Sequence, residues 1–293
     1  MQESSYLAAL SVDEAIRVLD GRGGPETHLL AGGTDLLIQI RAAGPRPRCI
    51  LDLKRIPETR QLIPGAAGLT IGAAVTAAEL REREGVRERW PGLVEAAELI
   101  GSEQIQGRAT LGGNLCNASP AADTIPPLIA LGARCRIAGP RGERTLPVES
   151  FVTGPGENAL EHGELLVEVQ VPAPAPGGAD AYLRLTPRSE MDIAMVGAAV
   201  SLTLDAAGAC SAARVALGAV APTAIAVPEA AAALVGGPVD SSALERLAEA
   251  ARAAARPIDD MRATASYRRQ VTGVLVQRAA RIAAERAIAR REG

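Results

Sequence analysis

The 293-residue sequence predicts an α+β protein: two small α/β units, then a larger unit of antiparallel sheet and helices. Three observations carry this expectation. Short apolar strands alternate with capped helices up to Val171; a proline- and glycine-rich stretch, Val171 to Gly178, lets neither helix nor ladder continue; and beyond it a hairpin precedes two amphipathic helices. The boundaries expected from these breaks are 1–55, 56–173 and 179–293. A content of 47% hydrophobic and 22% charged residues excludes disorder, and a chain of this length buries about three quarters of its extended surface on folding.

In the first unit, Ser11 followed by Glu14 is a capping box that opens a short helix with Ala15, Ile16 and Leu19 on one face; Gly21, Gly23 and Gly24 end it. His28 to Ala31 and Cys49 to Leu53 read as buried strands. Between them, Ala31 to Leu37 forms a sharp turn that feeds a short helix. The second unit has a strand at Leu69 to Ala73, a capping box at Thr76 and Glu79 opening a charged helix through Glu84, and a further helix from Trp90 to Ile100. A loop is expected from Gly101 to Asp123, then a helix at Pro126 to Leu131. Strands follow at Arg134 to Ala138, Arg144 to Pro147 and Leu165 to Val171. The third unit opens with a strand at Ala181 to Leu185 and a hairpin of Val196 to Leu204 and Ala212 to Val220 about the Asp205 to Gly208 turn. Ser242 with Glu245 is expected to cap a helix from Ala243 to Ala255. A long helix from Ser266 to Arg290 places Val271, Val274, Leu275, Ile282 and Ala283 on its apolar side.

Composition removes several classes of function. With five aromatic residues (Tyr6, Trp90, Phe151, Tyr182, Tyr267) and a net charge of −3, the chain has neither a base-stacking surface nor a basic field for nucleic acid. Cys49, Cys116, Cys135 and Cys210 stand at least 19 residues apart, and His28 and His162 are isolated, so no metal or iron–sulfur spacing exists. No signal peptide or membrane span is apparent, which places the chain in the cytoplasm. One lysine, Lys54, against thirty arginines reads as coding bias, and without preceding glycines it makes no Walker motif. Gly154 to Ala159 fits G-x-G-x-x-A only loosely, because Pro155 stiffens it and no apolar helix follows. Ser119 lacks the glycine elbow of a hydrolase nucleophile.

Two double-glycine turns remain, Ala31 to Asp35 and Ala109 to Asn114. Adjacent glycines let successive N–H groups converge on one concavity, which suits a diphosphate, and the neighbouring threonines add donors. Two such turns in adjacent α/β units point to one phosphate-bearing ligand lying between them. Asp123, before Pro126 and Pro127, is either a helix N-cap or a ligand contact at the same helix entrance.

The segments Leu30 to Leu37 and Gln104 to Ala133 closely resemble the FAD-binding medium subunit of the molybdenum hydroxylases, the family of carbon monoxide dehydrogenase and xanthine dehydrogenase. The likeness continues through Gly163 to Pro172, Arg188 to Ala194 and Asp260 to Arg269 and covers essentially the whole chain. It implies a two-part FAD-binding domain followed by an α+β C-terminal domain. Carried over by residue, it implies FAD contacts from Leu29, Leu30, Ala31, Gly32, Gly33, Thr34, Asp35 and Leu36 on the first loop and from Thr110, Leu111, Gly112, Gly113 and Asn114 on the second. Ile100, Asp123, Leu166 and Arg184 complete the set, and Ile193 falls where some relatives place a side chain over the flavin. Two departures stand out: Gly107 replaces an asparagine, which is expected to loosen the second loop, and Arg184 replaces a lysine, which keeps the charge and changes its geometry. The resemblance implies an electron-transfer subunit that works with a molybdenum-cofactor large subunit and a small [2Fe–2S] subunit and delivers electrons to NAD, a quinone or oxygen. It supplies no catalytic acid or base. The alternatives are a self-sufficient FAD-dependent oxidoreductase, which flavin bleaching by substrate without partners would reveal, and a non-enzymatic interaction module, which stoichiometric FAD would exclude.

Overall fold

The computed structural model describes residues 4–23, 26–42 and 47–292; Gly24, expected to help end the first helix, lies outside them. The first unit runs β1 (Ser5–Ala8), α1 (Val12–Val18), β2 (Thr27–Leu30), α2 (Leu36–Ala42) and β3 (Cys49–Asp52). β3 lies between β1 and β2 and is parallel to both, a pairing that needs the helical crossovers the chain supplies. Ser11 Oγ accepts the Glu14 N–H as expected, but the Glu14 carboxylate takes the N–H of Leu10, so the box closes one residue early. β1 escapes the sequence pattern because its first residues are exposed rather than alternating. The small core here, including Ala9, Ala15, Leu51 and Ile56, is completed by Ala138, Leu165 and Val167 from the next unit.

That next unit holds β4 (Leu62–Gly65), β5 (Gly68–Gly72), α3 (Ala77–Glu82), α4 (Val86–Arg89), α5 (Pro91–Glu98), α6 (Glu103–Gln106), α7 (Leu111–Asn117) and α8 (Ile125–Ala130). β6 (Arg134–Gly139), β7 (Gly142–Pro147), β8 (Val152–Gly154), β9 (Glu157–Asn158) and β10 (Leu165–Pro172) follow. Five strands form an antiparallel sheet in the order β4-β5-β10-β6-β7, while β8 and β9 make a separate ribbon. The Thr76–Glu79 capping box is complete in both directions. The expected loop from Gly101 to Asp123 instead contains two short helices, α6 and α7. Two glycines each cost α7 about 1 kcal/mol of helix propensity against alanine, and the Thr110 cap together with close packing on Ala73 supplies the compensation.

The third unit comprises β11 (Gly178–Leu185), β12 (Val196–Leu204), β13 (Cys210–Gly218), β14 (Ile225–Ala226), α9 (Pro228–Ala232), α10 (Ser241–Ala254) and α11 (Ala265–Glu292). The strands pair antiparallel in sequence order, and α11 packs across β11 and β12. Two expectations change. The α10 cap is Asp240, whose carboxylate accepts the Ala243 N–H from an extended backbone, so Ser242 already lies inside the helix. On α11 the buried stripe is Leu275, Val276, Ala279, Ala280, Ala283 and Ala287, leaving Val274 on the solvent side.

The units interlock through α5. Gly92 donates its N–H to Asp180 Oδ2 at 2.9 Å, and Trp90 Nε1 donates to the Pro172 carbonyl at 3.0 Å. Arg286 of α11 donates to the Asp180 carbonyl and pairs with Glu95. Among the described residues no helix is long and apolar enough to cross a membrane.

Candidate cofactor site

β2 ends at Leu30, and the chain reverses through Gly32 and Gly33 before α2 begins with the Leu37 N–H on the Gly33 carbonyl. Gly33 has φ +80°, a conformation that costs a side-chain-bearing residue about 1 kcal/mol or more. Among the described residues, the N–H groups of Gly32, Gly33, Thr34, Asp35 and Leu36 meet no protein acceptor. Five successive free donors on a glycine turn make the concavity expected of an anion site.

The second turn is held rigidly from the sheet side. Ala77 donates to the Ala109 carbonyl and Leu111 to the Val75 carbonyl, bridging Thr76 to Thr110. Thr110 Oγ1 then accepts the Gly113 N–H at 3.0 Å and opens α7. Gly112 has no room for a side chain, since a Cβ there would sit 2.5 Å from the Ala73 carbonyl oxygen. Far apart in sequence, the two turns meet in space: a Cβ on Gly32 would lie 2.1 Å from the Arg108 carbonyl oxygen. The helices that follow them are joined as well, by Gln39 Nε2 donating to Asn117 Oδ1 at 3.1 Å.

A buried polar cluster adjoins the second turn. Asn114 Oδ1 accepts from Thr124 Oγ1 at 2.6 Å; the neighbouring Asp123 accepts from Tyr182 Oη at 2.9 Å and from Arg184 Nη1 at 2.6 Å. Asp123 is therefore no N-cap, a position held by Thr124. Burial pushes the Asp123 carboxyl up to about 6, and the Arg184 charge and the Tyr182 and Arg184 hydrogen bonds only partly oppose it. Burial and the Asp123 charge raise the Tyr182 phenol well above its ordinary range, so it stays a donor. The Arg184 side chain is only 5% exposed, which makes the pair an inter-unit tie between the end of the second loop and β11.

The structure thus gathers Leu29 to Leu36, Thr110 to Asn114, Asp123 and Arg184 into one connected region. Leu111 and Leu166 are buried in the main core, and Ile100 is half-buried against it. Ile193 stands half exposed on the segment leaving β11, which is fixed by Asp192 pairing with Arg188 and Arg262. Gly107 is firmly placed: its N–H returns to the Glu103 carbonyl, and a Cβ would meet nothing nearer than 3.6 Å, so the expected loosening has no structural basis. Sequence reading missed Tyr182 and Lys54. Tyr182 had one signal, an aromatic residue two positions before Arg184 on a strand and hence on the same face. Burial pushes the Cys116 and Cys135 thiols up to about 12, leaving them protonated and unreactive.

Residues 2–174 match the family described as the FAD binding domain in molybdopterin dehydrogenase, and residues 181–283 match the carbon monoxide dehydrogenase flavoprotein C-terminal domain. The chain is 36% identical over 267 residues to the putative xanthine dehydrogenase FAD-binding subunit of Escherichia coli K12, covering 90% of both. Against the carbon monoxide dehydrogenase medium chain of Hydrogenophaga pseudoflava it is 36% identical over 274 residues, with 94% of each covered. A solved structure of carbon monoxide dehydrogenase from that organism superposes with a TM-score of 0.91, spanning 97% of this chain and 98% of the other at 36% identity. Quinoline 2-oxidoreductase from Pseudomonas putida 86 gives 0.88 at 32% identity, with 98% of each chain covered.

Proposed function

We propose that this chain, which belongs to the FAD-binding medium subunits of the molybdenum hydroxylase family, receives electrons from the [2Fe–2S] clusters of a partner subunit and passes them to an external acceptor such as NAD, a quinone or oxygen. FAD is the family's cofactor, and the residues present fit it. Among the described residues the N–H groups of Gly32 to Leu36 have no protein acceptor, and Gly32 brings the first turn against the backbone that leads into the second, where a Cβ would lie 2.1 Å from the Arg108 carbonyl oxygen. That paired cradle is the observation that carries the reading. Bound FAD supplies the redox chemistry, accepting and releasing electrons at the flavin.

The chain's own residues bind, orient and screen. In this reading the N–H groups of Gly32 to Leu36 hold the diphosphate, and the second turn closes the other side, where among Leu111 to Asn114 only the Gly112 N–H has no acceptor within the described residues. Ile100, partly exposed, offers an apolar contact, while Leu111 and Leu166 are packed in the core and act through their backbone. Asp123 fixes Arg184, whose guanidinium contributes positive charge beside the cofactor, while Tyr182 keeps the Asp123 carboxylate in place. No residue is assigned as acid or base, because electron transfer requires none. In this reading the molybdenum-cofactor and iron–sulfur centres belong to partner subunits.

The test is to purify the chain with its natural partners and measure molybdenum, iron and FAD together with substrate-driven reduction of the flavin. Flavin reduction that requires the molybdenum and iron subunits supports the proposal. Reduction by an organic substrate with the isolated chain would replace it with the self-sufficient oxidoreductase.

A further inference from the structure

The single lysine of the chain sits directly behind the first glycine turn. Lys54 Nζ donates to the Ala31 carbonyl at 3.0 Å and to both Asp52 carboxylate oxygens at 2.8 Å, which occupies the donors of an ammonium group. Asp52 is held in turn by the Lys54 N–H at 2.9 Å and by Tyr6 Oη at 2.5 Å. Burial alone would raise the Asp52 carboxyl; the Lys54 and Tyr6 hydrogen bonds outweigh it and hold the group below its ordinary value, as a carboxylate. Lys54 therefore has no hydrogen left for a ligand and acts only through Ala31.

The effect on Ala31 is specific. Its carbonyl and the N–H of Gly32 belong to one planar peptide unit and point in opposite directions. A lysine that pulls the carbonyl toward β3 must aim the Gly32 N–H away from β3. Glycine on the far side of that peptide makes the alternative, a flipped plane, sterically accessible, because Gly32 tolerates backbone angles that other residues avoid. A flipped plane would present a carbonyl oxygen, with its partial negative charge, to a phosphate. We propose that Lys54 is a positioning residue for the diphosphate turn, locking the Ala31–Gly32 peptide so that the Gly32 N–H faces the ligand. This rests on the FAD reading and extends it to a residue outside the contact set.

The experiment uses the full chain, freed of cofactor, with FAD and ADP as probes; ADP reads the diphosphate turn without the flavin. Lys54→Met alone leaves Asp52 without its cation and risks misfolding, so the decisive variant is Lys54→Met combined with Asp52→Asn. The inference expects this double variant to unfold within a few degrees of wild type while losing affinity for FAD and for ADP by about the same factor, tenfold to hundredfold. In nitrogen-15 spectra, the Gly32 amide signal that shifts on adding ADP to wild type should no longer shift in the variant, a change that simple loss of stability does not produce. Wild-type binding of both probes with double-variant affinities within twofold would overturn the inference alone. A folded wild-type chain that binds neither probe would overturn the FAD reading and the inference with it.

Discussion

Gly32→Ala concentrates the account into one atom. The added Cβ would lie 2.1 Å from the Arg108 carbonyl oxygen, 2.9 Å from its carbon and 3.1 Å from Ala109 Cα, all backbone that cannot rotate away. A relaxed carbon–oxygen contact is about 3.3 Å, so the two turns must separate by roughly 1.2 Å. Overpacking of this kind costs about 1–3 kcal/mol of stability, a fall of several degrees in the melting point of a chain this size. Separation also takes one turn out of reach of a diphosphate held by both. Losing a single hydrogen bond to a charged group costs about 1.5–3 kcal/mol, so FAD affinity should fall by about tenfold to more than hundredfold. Flavin fluorescence titration and thermal unfolding measure the two effects. Gly107→Ala is the control, three residues before Thr110 on the same loop, where a Cβ meets only ordinary contacts at 3.6 and 3.9 Å. The reasoning fails if Gly32→Ala binds FAD as wild type does, or if Gly107→Ala is as damaging.

Three more outcomes follow from the same geometry. Asp123→Ala leaves the buried Arg184 guanidinium and the Tyr182 hydroxyl without their acceptor and should cost about 3–5 kcal/mol in a urea titration, much of it recovered when Arg184→Met is added. Burial pushes the Asp180 carboxyl up to about 7, above its unfolded value near 4, so the folded chain holds the extra proton between those values. The stability tied to that proton is present below about pH 4 and is lost as pH rises through about 7. The stability difference between wild type and Asp180→Asn should therefore shift in the variant's favour from pH 4.5 to pH 8 and stay constant above; a pH-independent difference would contradict the assignment. Thr110→Ala removes the acceptor of the Gly113 N–H and should cost about 1 kcal/mol together with some loss of FAD affinity, read by the same fluorescence titration.

Features set by local chemistry were legible in the sequence. The Thr76–Glu79 box, the Asp205 turn and the glycine turns each follow from a few adjacent residues whose geometry admits little choice. Features set by tertiary contact were not. α7 looks like a loop because its glycines are poor helix formers, and only the packing of Gly112 on Ala73 explains why glycine is needed there. Asp240 displaces Ser242 as the α10 cap because a capping pattern can recur two residues inside a helix whose start is decided by backbone entry. Asp123 shows both sides: its place beside the second loop was readable, whereas its partners Tyr182 and Arg184 lie about sixty residues away and come from another sheet. Lys54 was hidden most completely. Composition made a lone lysine look like coding bias, and its role depends on the parallel register that sets Leu30 beside Asp52.

The most direct test of the central claim is the cofactor content of the chain purified alone, by visible spectrum and by identification of whatever denaturation releases, followed by titration of the emptied protein. The account predicts flavin bands, FAD as the released molecule, one per chain, and neither molybdenum nor iron. A folded, colourless chain that also refuses added FAD would contradict it.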